Sequence, residues 1–115
     1  MSRVFWVALA CGLFVWLVHP AQARETRPIC AKYETQTGWS KGYRVDGHYY
    51  RGHELNEAAR SAAYDIGTSY MVIFWSQGQA SVIDIGWTGA FPLYLTEGTD
   101  QEGRKWQIGS SSFCY

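Results

Sequence analysis

The chain has 115 residues, three cysteines and a formal net charge of zero, enough for one domain. With nine Lys/Arg against ten Asp/Glu after residue 23, it has no basic excess with which to bind a phosphate backbone. After the first twenty residues it has no second long apolar run, so a span in the remaining chain is not expected.

Residues 1–23 read as a secretory signal peptide. Arg3 opens it, an apolar run from Val4 to Val18 follows, and His19-Pro20 leads to the small-x-small end Ala21-Gln22-Ala23. About 15 apolar residues is short for a spanning helix. Cys11 lies inside that run and leaves with it. The expectation is a single exported domain over 24–115, periplasmic or secreted. Its two cysteines, Cys30 and Cys114, should then form one disulfide closing nearly the whole domain.

In chain order, Ile29 to Glu34 reads as a first strand and Thr37 to Gly42 as a glycine-bounded loop. A clear period of two follows, with Tyr43, Val45, Gly47 and Tyr49 on one face and Arg44, Asp46, His48 and Tyr50 on a wet one. From Glu54 to Tyr64 the period changes: Leu55, Ala58, Ala59 and Ala62 fall on one helical stripe. Tyr70 to Trp75 is apolar on both faces and reads as a central strand. Gln77-Gly78-Gln79 turns it back into Ala80–Ile85, where Ile83, Ile85 and Trp87 share a face. Leu93-Tyr94-Leu95 and Lys105 to Ile108 should pair across a polar loop from Glu97 to Gly103. These elements predict an α+β, mainly β fold: a strongly bent antiparallel sheet or small barrel of about six strands, with one short helix, pinned by one disulfide.

No motif for chemistry assembles. The only histidines after residue 23 are His48 and His53; with Asp46 and Glu54 they are weak candidates for a metal, because no ligand spacing is met. Serines occur without a nucleophile elbow. Asp84 with Glu97, Asp100 or Glu102 could form a carboxylate pair, and the last three a calcium loop, but a solvated turn accounts for them. No catalytic residue, metal or cofactor is therefore assigned.

Aromatic content sets the sequence apart: eight tyrosines, four tryptophans and three phenylalanines follow residue 23. Tyr70, Phe74, Trp75 and Trp106 sit where a core would use them. Trp39 lies in a loop, Tyr50 on the polar face, and Trp87 at a strand end. Aromatics in such places offer large contact area at low entropy cost. With Lys41 and Arg51 beside them, Trp39, Tyr50 and Trp87 are the expected binding residues. The function expected is an exported non-enzymatic binding protein, such as an inhibitor or immunity factor for an extracytoplasmic enzyme. The alternatives are a glycan- or peptidoglycan-binding module and a small metal-dependent enzyme. The partner is accordingly an extracytoplasmic protein or a glycan, and not nucleic acid.

Overall fold

In a computed structural model, the structure describes residues Ala23–Cys114; the expected leader, Ala23 apart, lies outside them. Seven strands and one helix follow in order: β1 Glu25–Thr35, β2 Gly38–Trp39, β3 Tyr43–Arg51, α1 Gly52–Ala59, β4 Ser69–Phe74, β5 Ala80–Gly86, β6 Thr96–Asp100 and β7 Lys105–Ser110. Every pairing is antiparallel, and neighbours in the sheet are β2, β1, β3, β4, β5, β6 and β7. β7 then pairs with β1 from Ile29↔Ser110 to Tyr33↔Trp106, closing six strands into a barrel with β2 as a short flap. Among the described residues, closure leaves no long unpaired edge to manage.

The barrel closes because one face of each strand is apolar. Ile29 and Ala31 of β1, Tyr49 of β3, Met71 and Ile73 of β4, Ile83 and Ile85 of β5, and Trp106 and Ile108 of β7 fill the interior. β6 contributes Gly98 instead of a side chain. A Cβ there would lie 2.5 Å from the Asp84 carbonyl and 2.6 Å from Ile83 Cγ2, so β5 and β6 can cross only at a glycine. Their ladder is short, Ile83↔Asp100 and Asp84↔Thr99. Gln101 extends it: its amide oxygen accepts from Val82 N at 2.9 Å, and its nitrogen donates to Ala80 O at 2.9 Å. The Cys30–Cys114 disulfide ties the C-terminus to the outside of β1.

A second cluster lies outside the barrel. Tyr50, Tyr70 and Val72 face out from β3 and β4, and Leu55 of α1 covers them. The central strand is thus apolar on both faces for two reasons, the barrel on one side and the helix on the other. Phe74 lies beyond the helix and is exposed, so its expected place in the core is corrected.

Several element boundaries also differ from expectation. β1 begins at Glu25, four residues before Ile29, and Gly38–Trp39 of the expected 37–42 loop pairs with β1 as β2. The helix starts two residues earlier and stops at Ala59, leaving Ala58, Ala59 and Ala62 exposed. Arg60 takes a left-handed conformation (φ 52°), and the Asn56 side chain both donates to Tyr64 O and accepts from Tyr64 N, folding the chain back. Leu93-Tyr94-Leu95 is not a strand; β6 begins at Thr96, and the expected polar loop 97–103 supplies most of it. The turn shrinks because Asp100 Oδ1 accepts from both Glu102 N and Arg104 N, at 2.8 and 2.9 Å. Finally, Gly86 (φ 74°) bends the chain out of β5, so Trp87 leaves the face it was expected to share with Ile83 and Ile85.

Candidate functional site

The five expected binding residues occupy three separate places. Trp39 and Lys41 lie at the barrel end formed by the 36–42, 75–79 and 101–104 connections. Tyr50 is on the wall beneath α1 and only 8% exposed, so its expected wet face is corrected: Leu55 covers it. Arg51 and Trp87 meet at the opposite end, where the guanidinium lies 4.7 Å from the Trp87 ring centroid.

The two ends differ in kind. At the Trp39 end, Tyr33, Tyr43, Trp75 and Trp106 form a closed ring of contacts, with centroids 5.5–6.1 Å apart around the cycle. Both indole N–H groups are engaged: Trp75 Nε1 donates to Ser81 Oγ and Trp106 Nε1 to Asp100 Oδ2, each at 2.9 Å. Lys41 sits over Tyr43 at 5.2 Å and Arg104 over Tyr33 at 4.9 Å. These aromatic faces are spent on one another and on the chain's own cations. The arrangement is a plug, with Trp39, 37% exposed, beside it on the β2 flap.

The Arg51 end is closed by a loop, residues 87–95, with two sides. On its inner side Phe91 is buried over Tyr49, with ring centroids 6.0 Å apart, and Arg27 lies 5.2 Å above it. The Tyr49 hydroxyl donates to Thr88 O at 2.8 Å and accepts from Thr88 Oγ1 at 3.1 Å. Ser69, fully buried, accepts from Thr88 N, and Arg51 Nη2 donates to Gly89 O at 2.9 Å. Burial alone would raise the Tyr49 hydroxyl pKa; hydrogen bonds with Ser69 and Thr88 and the Arg51 charge bring it below its ordinary value. On its outer side the loop shows Trp87, Leu93, Tyr94 and Leu95, which are 60, 69, 83 and 65% exposed. Four large apolar side chains left exposed on one nine-residue stretch are more than ordinary surface composition requires.

Leu93, Tyr94 and Leu95 were missed as surface residues because a short run of large apolar and aromatic residues reads as a strand. Pro92 immediately before them is the signal that argued otherwise, since it withholds a ladder donor.

Asp46, His48, His53 and Glu54 do not converge. Glu54 is committed to the start of α1, accepting from Arg51 N at 2.9 Å and from Arg24 Nε and Nη2 at 3.2 and 2.6 Å. His53 is exposed on α1, and His48 Nδ1 shares a hydrogen bond with Thr26 Oγ1 at 2.9 Å. Burial lowers the His48 pKa against the opposing pull of Asp46. Among the described residues no three His, Cys, Asp or Glu side chains come together as a metal would need. Asp46 and His48 instead line an open groove of about 630 Å³ on the barrel wall, with Arg44, Pro28 and exposed Phe74. Among the described residues no helix is long and apolar enough to cross a membrane.

No family model, curated protein or solved structure matches the chain, so the residues themselves carry the functional reading.

Proposed function

We propose that this chain is an exported, non-enzymatic protein-binding module that presents the 87–95 loop to a partner outside the cytoplasm, as an inhibitor or immunity factor does. The observation that carries the reading is the loop's two-sidedness. Thr88, Gly89 and Phe91 are held from beneath by Tyr49, Ser69 and Arg51, while Trp87, Leu93, Tyr94 and Leu95 stay exposed, Trp87 beside Arg51 and Leu95 with its end leaning toward Gly109. A loop fixed in advance loses little conformational entropy on binding, and exposed apolar side chains suit a concave site such as an enzyme cleft. A standard interface needs only about 800 Å² per partner, within reach of one barrel end. Arg51 and Trp87 remain in the proposed site, Trp39 and Lys41 lie at the far end, and Tyr50 is buried.

The test uses the oxidised 24–115 chain, immobilised and exposed to an envelope extract of its source organism. A protein retained stoichiometrically by the wild type and by Trp39→Ala, and lost with Trp87→Ala/Tyr94→Ala, is the expected result. Each tip anchor should carry about 2 kcal/mol, roughly thirtyfold in affinity. Equal retention by wild type and the tip variant would overturn the reading.

A glycan-binding reading has one specific support. The wall groove sets the exposed Phe74 ring beside Arg44, Asp46 and His48, a stacking platform next to planar polar groups. Chemical-shift changes at Phe74 and His48 across a panel of cell-wall oligosaccharides, absent in Phe74→Ala, would favour it over the loop.

A further inference from the structure

The loop end of the barrel is also the end where the chain arrives. Arg24 immediately precedes β1, and its amide donates to Tyr49 O at 2.8 Å. The hydroxyl of that same tyrosine holds Thr88 of the loop, and Arg27, three residues further on, lies over Phe91. Ile66 belongs to this end as well. Gly52, directly after β3, packs so closely on the 65–66 backbone that a Cβ would meet Asp65 O at 1.8 Å and Ile66 Cα at 2.9 Å. Ile66 is 71% exposed. Upstream, only residues 19–23 separate Arg24 from the end of the apolar run at Val18. Fully extended, that connection spans roughly 20 Å.

We propose that the loop end is a bilayer-contact surface before it is a protein-binding one. While residues 1–23 remain attached and their apolar run occupies a membrane, Trp87, Leu93, Tyr94, Leu95 and Ile66 rest in the lipid interface. Release of the leader then exposes them to the partner. The inference rests on the reading of 1–23 as a leader and of the loop as the binding surface.

The side-chain chemistry fits that occupant. Trp and Tyr favour the headgroup region, and Leu and Ile favour the acyl boundary just below it. Arg51 is paired with no carboxylate among the described residues; it stands against Trp87, with Nε buried and Nη2 donating to Gly89 O, which leaves its remaining N–H groups to meet a lipid phosphate. The tether supplies the rest. A few apolar side chains bind a bilayer weakly from solution, but a connection this short turns the contact into an intramolecular one at high effective concentration. The same patch therefore holds while the leader is attached and lets go afterwards. An apolar binding loop is in this way covered until the domain is free.

The test compares the full 115-residue chain, reconstituted uncleaved in 3:1 phosphatidylethanolamine/phosphatidylglycerol vesicles, with the free 24–115 chain. Chymotrypsin cuts after Leu93, Tyr94 or Leu95 report the loop end. Tryptic cuts after Arg104 or Lys105 report the opposite end in the same samples. The expected result is cutting at 93–95 slowed about tenfold or more in the tethered chain, with the 104–105 rate unchanged. Equal rates at 93–95 in the two chains overturn the proposal. So does equal slowing at both ends, which would mean general occlusion, and so does a loop resistant in the free chain. Partner capture uses only the free chain and the proteolysis compares it with the tethered one, so a failure of the binding reading and a failure of the bilayer contact are told apart.

Discussion

Tyr49→Phe isolates the part of the structure that holds the loop. The ring is fully buried, and the substitution keeps its volume, so no cavity forms. What disappears is a hydroxyl that donates to Thr88 O at 2.8 Å, receives Thr88 Oγ1 at 3.1 Å and lies 3.3 Å from Ser69 Oγ. The Thr88 carbonyl retains only the longer Ser69 contact at 3.3 Å. Leaving a part-buried acceptor and donor short of partners costs roughly 1–3 kcal/mol. For a domain of this size that is a Tm loss of roughly 5–20 °C. The loss should come with a local effect: chymotrypsin cutting at 93–95 in the free chain should accelerate more than tryptic cutting at 104–105. Circular dichroism melting and timed mass spectrometry read both. A Tm within about 2 °C of wild type, with loop cutting unchanged, would falsify the claim that this network fixes the loop.

Gly98→Ala should destabilise far more than Gly47→Ala in urea unfolding. The new methyl at Gly98 meets the Asp84 carbonyl, which cannot move without opening the short β5–β6 ladder, whereas at Gly47 it meets the ends of Ile29 and Met71. An equal loss at both sites would contradict the glycine crossing. Replacing Cys30 and Cys114 with Ala opens a link across 84 residues of sequence, and the chain-entropy ceiling on the loss is about 4.5 kcal/mol; a Tm insensitive to reductant would deny the link. In acid, three groups act in the same direction. Burial lowers the His48 pKa, so the unfolded chain takes up its proton first and stability falls as pH drops through about 6.5. Burial alone would raise Glu54, but Arg24 and the Arg51 amide lower it overall; Asp100 is likewise raised by burial but lowered overall by Trp106 and the Arg104 and Glu102 amides. Stability from these carboxylates is present above their unfolded pKa values and lost as pH falls through the folded ones. Glu54→Gln should therefore flatten the limb below about pH 4.5, and a steep limb retained in that variant would point elsewhere.

The period-of-two strands were legible because barrel closure demands the same alternation that the sequence displays: Val45, Gly47 and Tyr49 do face inward from β3. Tyr50 was not, because burial on the outer face depends on where a helix from elsewhere lands, and Leu55 supplies that cover. The helix boundary escaped for a related reason. Ala58, Ala59 and Ala62 carry a helical stripe, but the Asn56 amide offers Tyr64 a backbone-like partner and ends the helix first. Glu97 to Asp100 reads as a polar loop since its charges and glycine score against a strand; in a barrel, the glycine is what lets β6 pass β5. The pair Arg51 and Trp87 could be named from sequence as exposed candidates. Their contact could not, because they stand 36 positions apart in the sequence.

A closed barrel leaves two ends on which to place function, and these two are finished differently. The Trp39 end is sealed by four rings that use one another's faces, with every indole N–H given to a neighbour and two cations laid on the tyrosines. An incoming ligand there would have to displace contacts the fold itself needs. The other end is sealed by a single ring, Phe91, delivered by a loop whose flanking residues are not needed for the seal. Trp87, Leu93, Tyr94 and Leu95 can therefore change partners without opening the core. That separation of sealing from presenting explains why the apolar side chains of this loop can stay exposed at little cost to the barrel, and why binding is better sought there than in the aromatic-rich end that composition alone would favour.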